Sequence, residues 1–168
     1  MLTSYRCSTC DQIHDGLPFS YGSPAPAMWF EIPEKQLEKR VQLSSDQCVI
    51  DDKYFFVLGR LEIPVAETDE LFSWLVWVSL KEENFARVYE LWETVGRETE
   101  PPYFGWLQTA LPCYPKTTLN LATNVHTRPV GERPFIELEP TDHPVAVEQR
   151  NGISLARVQE IAEICLHS

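Results

Sequence analysis

The residues that could do chemistry begin with a short metal-binding pattern, Cys7-Ser-Thr-Cys10, followed by His14. Two cysteines three positions apart can both reach one ion from a tight turn, and a nearby imidazole supplies a third ligand. Cys48, in a turn-rich segment just before a strand, is the best remote candidate for the fourth ligand, with Cys113 as its substitute. A Cys₃His tetrahedron has no open coordination position, so the pattern predicts structural zinc rather than a catalytic metal.

Two other interpretations of Cys7 and Cys10 compete with zinc. In the first, both are free thiols. In the second they are a redox pair, but a redox Cys-x-x-Cys normally follows a strand in a βαβ unit, and no strand-like pattern precedes Cys7. The chain has one Cys-x-x-Cys rather than two, so the spacing favours zinc and leaves free thiols open.

A second candidate site lies on the polar side of a late strand pattern. Asn120, Asn124 and His126 share that side, and His126 can titrate near neutral pH. Farther along, Asp142 could orient the imidazole of His143 for general-base catalysis. These residues define an alternative function, a metal- or histidine-dependent hydrolase that uses His126 or His143. A solvated strand face is the simpler explanation, because the sequence contains no serine-nucleophile motif, phosphate-binding glycine loop or His-Glu-x-x-His.

The elements that must position these residues are organised around two long predicted strands, 54–63 and 72–80. Apolar side chains recur at every second position in both: Phe55, Val57, Leu61 and Ile63 in the first, and Phe72, Trp74, Val76, Val78 and Leu80 in the second. A period of two with β-branched and aromatic residues is typical of strands. Two strands alone are only marginally stable in water, so we expect this pair to lie inside a larger, covered sheet.

Shorter segments complete the prediction. Further strands are expected at 47–50, 118–126 and 134–140, and helices at 34–41, 82–95 and 154–167. The strand at 134–140 has prolines at both ends, which places it at or near a sheet edge.

The predicted fold class is therefore α+β. We expect a mainly antiparallel sheet of about five strands, flanked by the two longer helices, with a zinc-stapled N-terminal segment. The 168 residues suit a single domain. Within it, residues 1–50 form an N-terminal metal-binding wrap that packs on an α+β body at 51–168.

Charge and composition restrict the partners. Against 25 acidic side chains there are 14 basic ones, a net charge of −11. Nucleic acid and anionic membrane surfaces are therefore not expected partners, because both require clustered Lys and Arg. A basic protein would suit this charge, and an acidic loop is the candidate docking site: Glu62, Glu67, Asp69 and Glu70.

The sequence also predicts a soluble, cytoplasmic protein. No apolar run approaches the ~20 residues that span a bilayer, and the first residues lack the apolar core of a secretory signal. The five cysteines are accordingly expected to be reduced thiols or metal ligands rather than disulfides.

Several motifs together resemble a family of small bacterial proteins known as a domain of unknown function, number 2199. They are Cys7-x-x-Cys10 with His14-Asp-Gly-Leu-Pro18, Asp46-x-Cys48-x-Ile50, Leu61-Glu-Ile-Pro64, Trp77-Val-Ser-Leu80, Pro101-Pro-Tyr-Phe-Gly-Trp106, Val125-His126-x-Arg128-Pro129, and the run from Ile136 to Arg150. The resemblance spans nearly the whole chain and implies one intact domain. It brings no activity, and it fits with Cys7, Cys10, His14 and Cys48 acting together.

The function that these observations favour is a non-enzymatic binding or adaptor module with a structural zinc site. An immunity-like role, in which an acidic protein neutralises a basic toxin, would be one instance. The hydrolase remains the alternative.

Overall fold

The computed structural model describes residues 4–167. The strands are β1 (Ser4–Arg6), β2 (Ile13–Asp15), β3 (Ser20–Gly22), β4 (Val41–Leu43), β5 (Gln47–Ile50), β6 (Tyr54–Pro64), β7 (Leu71–Leu80), β8 (Tyr103–Leu107), β9 (Ala122–His126) and β10 (Phe135–Leu138). The α-helices are α1 (Glu34–Arg40), α2 (Glu82–Glu90), α3 (Pro144–Asn151) and α4 (Leu155–His167). Short 3₁₀ turns cover Ala27–Glu31 and Arg97–Thr99.

Five consecutive strands, β6 to β10, close into a barrel. Neighbouring strands pair antiparallel from β6 through β10, and β10 then returns to pair parallel with β6. On one side the sheet extends through β5 and β4, and β3 adds a parallel edge on β7. The α+β class is confirmed. The predicted sheet of about five mainly antiparallel strands is corrected to a closed five-stranded barrel with added strands and two parallel pairings.

The strand at 134–140 shows how the barrel closes. We expected it at an edge because of its prolines, but β10 lies between β9 and β6. Proline lacks a donor and keeps its acceptor, and the Pro134 carbonyl accepts a hydrogen bond from the Arg60 N–H at 2.9 Å. Where the pairing with β6 ends, the Gln149 amide of α3 bonds the Leu138 N–H and the Ile136 carbonyl, both at 2.8 Å. The Gln149 side chain thus makes the hydrogen bonds to β10 that backbone groups of a longer neighbouring strand would otherwise make.

Alternation along β6 and β7 divides the apolar residues between two faces. One face belongs to the main core, with Val57, Leu61 and Ile63 of β6 and Phe72, Trp74, Val76 and Val78 of β7. The opposite face forms a second, smaller cluster with Phe56, Leu58 and Trp77, covered by Ile32 and the segment around it. Both strands are therefore buried on two sides, which explains why neither face of their sequence pattern is strongly polar.

The helices differ from the sequence expectation in number and length. α2 ends at Glu90 rather than at 95, and α3 occupies a segment that we did not predict to be helical. α4 matches its predicted range closely, and its buried residues Val158, Ile161 and Ala162 pack on the main core. In the part of the chain that is described, no helix has the length and hydrophobicity needed to cross a lipid bilayer.

Candidate metal centre

The N-terminal cysteines lie in the turn of a small hairpin. β1 and β2 form a separate two-stranded antiparallel sheet in which Tyr5 pairs with His14. The turn is closed by the Cys7 N–H donating to the Gln12 carbonyl and the Asp11 N–H donating to the Cys7 carbonyl, both at 2.8 Å. Asp11 has a φ of 57°, a left-handed conformation that Asp tolerates. Local hydrogen bonding alone therefore brings both cysteines and His14 together.

The hairpin is attached to α4, at the other end of the chain. Three side chains one turn apart contact it: the Gln159 amide donates to the Arg6 carbonyl at 3.0 Å, Glu163 accepts from the Ser8 N–H at 3.1 Å, and His167 reaches Cys7. Residues spaced by four share one face of a helix. This polar stripe lies beside the apolar stripe that packs on the core, so one helix serves both surfaces.

Four side chains converge where the hairpin meets α4: Cys7, Cys10, His14 and His167. One possible ligand atom from each lies within 4.8 Å of all the others. Cys7 Sγ is 3.2 Å from His167 Nε2, and Cys10 Sγ is 3.3 Å from His14 Nε2. In a tetrahedral site with Zn–S of about 2.3 Å and Zn–N of about 2.0 Å, an S···N edge is about 3.5 Å long. The two S···N distances are within a few tenths of an ångström of this edge, and all four atoms lie close enough together to bind one ion.

Cys7 is prepared for ligation. Its side chain is fully buried, and burial by itself raises the pKa of a thiol. Hydrogen bonds from the backbone N–H groups of Cys10 and Thr9, and a further bond from His167, outweigh burial and lower the pKa of Cys7 to about 6. Since the thiolate is the form that binds metals, these bonds favour the ligating state near neutral pH.

The structure corrects the fourth position of the predicted site. Cys48 is fully buried on β5, in the second cluster with Phe56 and Trp77, whereas Cys7 belongs to the main core. Burial raises the pKa of Cys48 to about 11, which keeps it a neutral thiol. Cys48 therefore packs among apolar side chains outside the Cys/His cluster, and the fourth member of that cluster is His167. The hairpin is thus linked to α4, whereas the later part of the N-terminal segment joins the main sheet through β3, β4 and β5.

Cys113, the substitute ligand, is also outside the metal centre. It is half-buried and hydrogen-bonds the Cys165 thiol of α4. Burial, followed by the neighbouring Cys165, raises the pKa of Cys113 to about 12. A thiol with so high a pKa is a poor ligand and a poor nucleophile at neutral pH.

Contrary to the expectation that no strand precedes Cys7, β1 lies directly before it. It belongs to a hairpin rather than to a βαβ unit, and the turn after Cys7 leads into β2 without a helix. The context of the redox motif is therefore still missing among residues 4–167.

The residues suggested for hydrolysis are not assembled into a catalytic group. His126 lies on β9, half-exposed, with Nε2 3.0 Å from Glu137 Oε1. His143 is buried and caps α3: Nδ1 accepts from the Val145 N–H, and Nε2 lies 3.1 Å from the Thr117 carbonyl. Asp142 is exposed. Because backbone groups engage both nitrogens of His143, this imidazole has a structural role.

Asn120 also differs from its predicted position. It has a φ of 66° and precedes β9, which begins at Ala122. It therefore does not share a strand face with Asn124 and His126.

A family model described as an uncharacterized protein conserved in bacteria (DUF2199) matches residues 6–153. The match covers most of the chain, so the chain belongs to this family, which confirms the resemblance seen in the motifs. Cys7, Cys10 and His14 lie inside the matched range, and His167 lies beyond its end. No curated protein and no solved structure matches the chain.

Proposed function

We propose that this member of the DUF2199 family is a non-enzymatic binding module whose N-terminal hairpin is fastened to its last helix by structural Zn²⁺. The observation that carries the proposal is the convergence of two cysteines and two histidines from opposite ends of the chain. Thiolate and imidazole ligands in a four-coordinate set suit zinc better than magnesium or calcium, which prefer oxygen.

Four protein ligands would leave no coordination position for water or substrate. Catalytic zinc sites keep such a position open, whereas structural sites are closed. The donor set therefore supports an architectural ion. The backbone contacts of His143 and the half-exposed setting of His126 also favour a module over the hydrolase.

Metal content tests the zinc assignment. Protein purified with zinc should hold about one ion per chain, measured by elemental analysis, and Cys7→Ser or His167→Ala should lose most of it. Cys48→Ala is the matched control: it removes a thiol from the second cluster, so the melting temperature should fall while zinc content stays at wild-type level. Retained zinc in His167→Ala, or zinc lost in Cys48→Ala, would show that the ligand set is wrong.

For the partner, we propose a basic protein. The net charge of −11 supports this choice, because complementary charge speeds association and suppresses wrong partners. Asp69 and Glu70 are exposed in the loop between β6 and β7, whereas Glu62 of the predicted acidic loop is instead paired with Arg128.

A lysine-rich peptide serves as a defined probe of the acidic loop. Its affinity should fall steeply as salt rises, and the double variant Asp69→Asn, Glu70→Gln should weaken it about fivefold or more. The double variant Glu34→Gln, Glu38→Gln on α1 makes the same change in net charge away from the loop. Equal weakening by the two pairs would mean that the peptide senses overall charge and that the loop is not a docking site.

A further inference from the structure

A cleft beside β6 shares no residue with the metal centre. Its volume is about 810 Å³, within the range of small-molecule binding sites. It lies between β6, α2 and the loop 127–134 that joins β9 to β10. A shallower extension of about 500 Å³ shares Asp46 and Trp92 with it.

Part of the cleft wall is apolar. Val57 and Leu58 come from β6, Val88 from α2 and Val125 from β9, and the exposed ring of Trp92 lies where the cleft and its extension meet. Such a wall can hold an aliphatic or aromatic body by displacing water.

The rest of the wall is rich in arginine. Four of the nine arginines of this acidic chain line the cleft: Arg60, Arg97, Arg128 and Arg133. Arg97 is buried, and its guanidinium donates to the carbonyls of Trp92, Arg128, Pro129 and Glu132 at 2.7–3.1 Å. Arg97 thus fixes the loop 127–134 against the segment that follows α2.

Two of the other arginines share one counter-charge. Glu62 accepts a two-pronged interaction from Arg128, at 2.6 and 3.0 Å, and a further bond from Arg60 at 3.2 Å. Arg60 also donates to the Ser73 hydroxyl, and its Nη1 has no hydrogen-bond partner among residues 4–167. One carboxylate held by two guanidiniums leaves a net positive charge on these three side chains. Asp46, Glu93 and Glu132 also line the cleft, so its four acidic residues equal its four arginines in number.

Arg133 and Gln47 extend the polar wall. Arg133 is paired with Asp46 through Nε at 2.8 Å, and its two terminal nitrogens have no hydrogen-bond partner within the described chain. Gln47 lines the shallow extension, and its buried Nε2 lacks a hydrogen-bond partner in the described structure.

We propose that this cleft binds a small organic anion, with an oxyanion head group, carboxylate or phosphate, at Arg60, Arg128 and Arg133 and an apolar body beside Trp92. Guanidinium groups present paired N–H donors that match both head groups. The site goes beyond the zinc-fastened module and uses none of its ligands.

Calorimetric titration of the zinc-loaded, full-length protein tests the site with three probes of one shape. Benzoate and phenyl phosphate carry the two head groups, and benzamide is the neutral analogue. At least one anion should bind about tenfold or more tightly than benzamide, because a charged head group gains from the arginines and a neutral one does not. Whichever of the two anions binds more tightly identifies the head group.

Matched variants locate the binding. Arg60→Gln keeps the Arg128–Glu62 pair and should weaken the preferred anion about fivefold or more. Arg40→Gln removes an equal charge from the exposed Arg40–Asp51 pair, outside the cleft, and should change affinity less than about twofold. If Arg60→Gln shows no cooperative thermal unfolding, it is not folded, and Arg133→Gln takes its place in the titration.

Three outcomes would overturn the proposal: neither anion binding at about 10 mM, benzamide binding as well as the anions, or the Arg40 and cleft variants weakening the anion equally. Zinc content measured on the same samples separates this site from the metal centre. If the wild-type protein holds no zinc but still binds the anion, the zinc assignment is wrong and the anion-site proposal is unaffected.

Discussion

The side chains of the metal centre and those of the cleft are held in position in different ways. At the metal centre, ligands separated by up to 160 residues meet where a two-stranded hairpin touches α4. At the cleft, side chains stand on strands of a closed barrel and on a loop fixed by the buried Arg97. Among residues 4–167 the hairpin strands pair only with each other, whereas the barrel strands are hydrogen-bonded on both edges.

The hairpin and the barrel therefore depend on different sources of stability. A two-stranded hairpin is marginal by itself, so we expect the N-terminal hairpin to depend on the proposed ion and on the polar contacts of α4. The barrel strands are instead held by the main core. Perturbing the metal should therefore loosen one region, and perturbing the packing should weaken the whole molecule.

Removing the metal with a chelator should give the largest local effect. Structural zinc contributes about 10 kcal/mol or more to folding in zinc-finger peptides, and here that energy is concentrated on the hairpin. Hydrogen exchange should become about a hundredfold faster or more for residues 4–15 and the last turn of α4. Amides of β6 and β7 should keep their protection. Uniform loss of protection would mean that the ion supports the entire fold.

Gly105→Ala should test the barrel without touching the metal centre. A Cβ at this position would lie 2.4 Å from both the Ser79 carbonyl oxygen and Val78 Cγ1, so neighbouring strands would have to separate. We expect a loss of about 2–3 kcal/mol in the free energy of unfolding, measured by urea denaturation, with zinc content unchanged.

Gly131→Ala is the comparison for Gly105→Ala. Gly131 has a φ of 93° and no described atom within 4 Å of the added Cβ. Backbone strain alone should cost about 1 kcal/mol. If the two substitutions lower the free energy of unfolding equally, the close packing of β8 on β7 does not determine the stability of the barrel.

Glu62→Gln should have a small effect at neutral pH and the clearest pH dependence. The hydrogen bonds from Arg128, and then from Arg60, hold the pKa of Glu62 below 4.5 despite partial burial. The ionised carboxylate therefore stabilises the fold fully above about pH 4.5, and this contribution disappears as pH falls through the lower folded-state pKa.

At pH 7 the substitution should cost about 1–2 kcal/mol, since a charge-assisted hydrogen bond is lost. The variant should then lose less stability than the wild type on acidification below pH 4.5, as urea denaturation at several pH values would show. The exposed Glu83→Gln is the control and should follow the wild-type curve. Parallel curves for Glu62→Gln and wild type would exclude this carboxylate as a source of acid sensitivity.

The long strands and α4 could be predicted because their signals are local. The segments 54–63 and 72–80 fall within one residue of β6 and β7 at each end. α4 likewise follows from a continuous apolar stripe. In each case the residues that define the element are neighbours in the chain, so periodicity alone reveals them.

α3 was not predicted because the residues at its start are typical of a turn as well as of a helix N-terminus. Asp142-His143-Pro144 is typical of a turn, and it is also a helix start in which proline takes the first helical position and a side chain caps the helix. The structure uses it as a start, with His143 as the capping residue. In α3 only Val145 and Ala146 are buried. This apolar pattern is too short to distinguish a helix start from a turn.

His167 could have been suspected from Gln159, Glu163 and His167, which recur every four residues along α4. Such a polar stripe is ordinary on an exposed helix face, so it does not single out a ligand. Cys48 was the opposite case: its residue type suits a ligand, and its position in the second cluster gives it a packing role instead.

By itself, the sequence determined the α+β class, the two long strands, the last helix and the turn that brings Cys7, Cys10 and His14 together, because each depends on residues within one short segment. Only the tertiary structure decided that the sheet closes into a barrel, that α4 supplies the fourth member of the metal cluster, and that arginines from three segments line one cleft. These depend on which distant segments come into contact, and that is settled by packing of the whole chain rather than by any local pattern of residues.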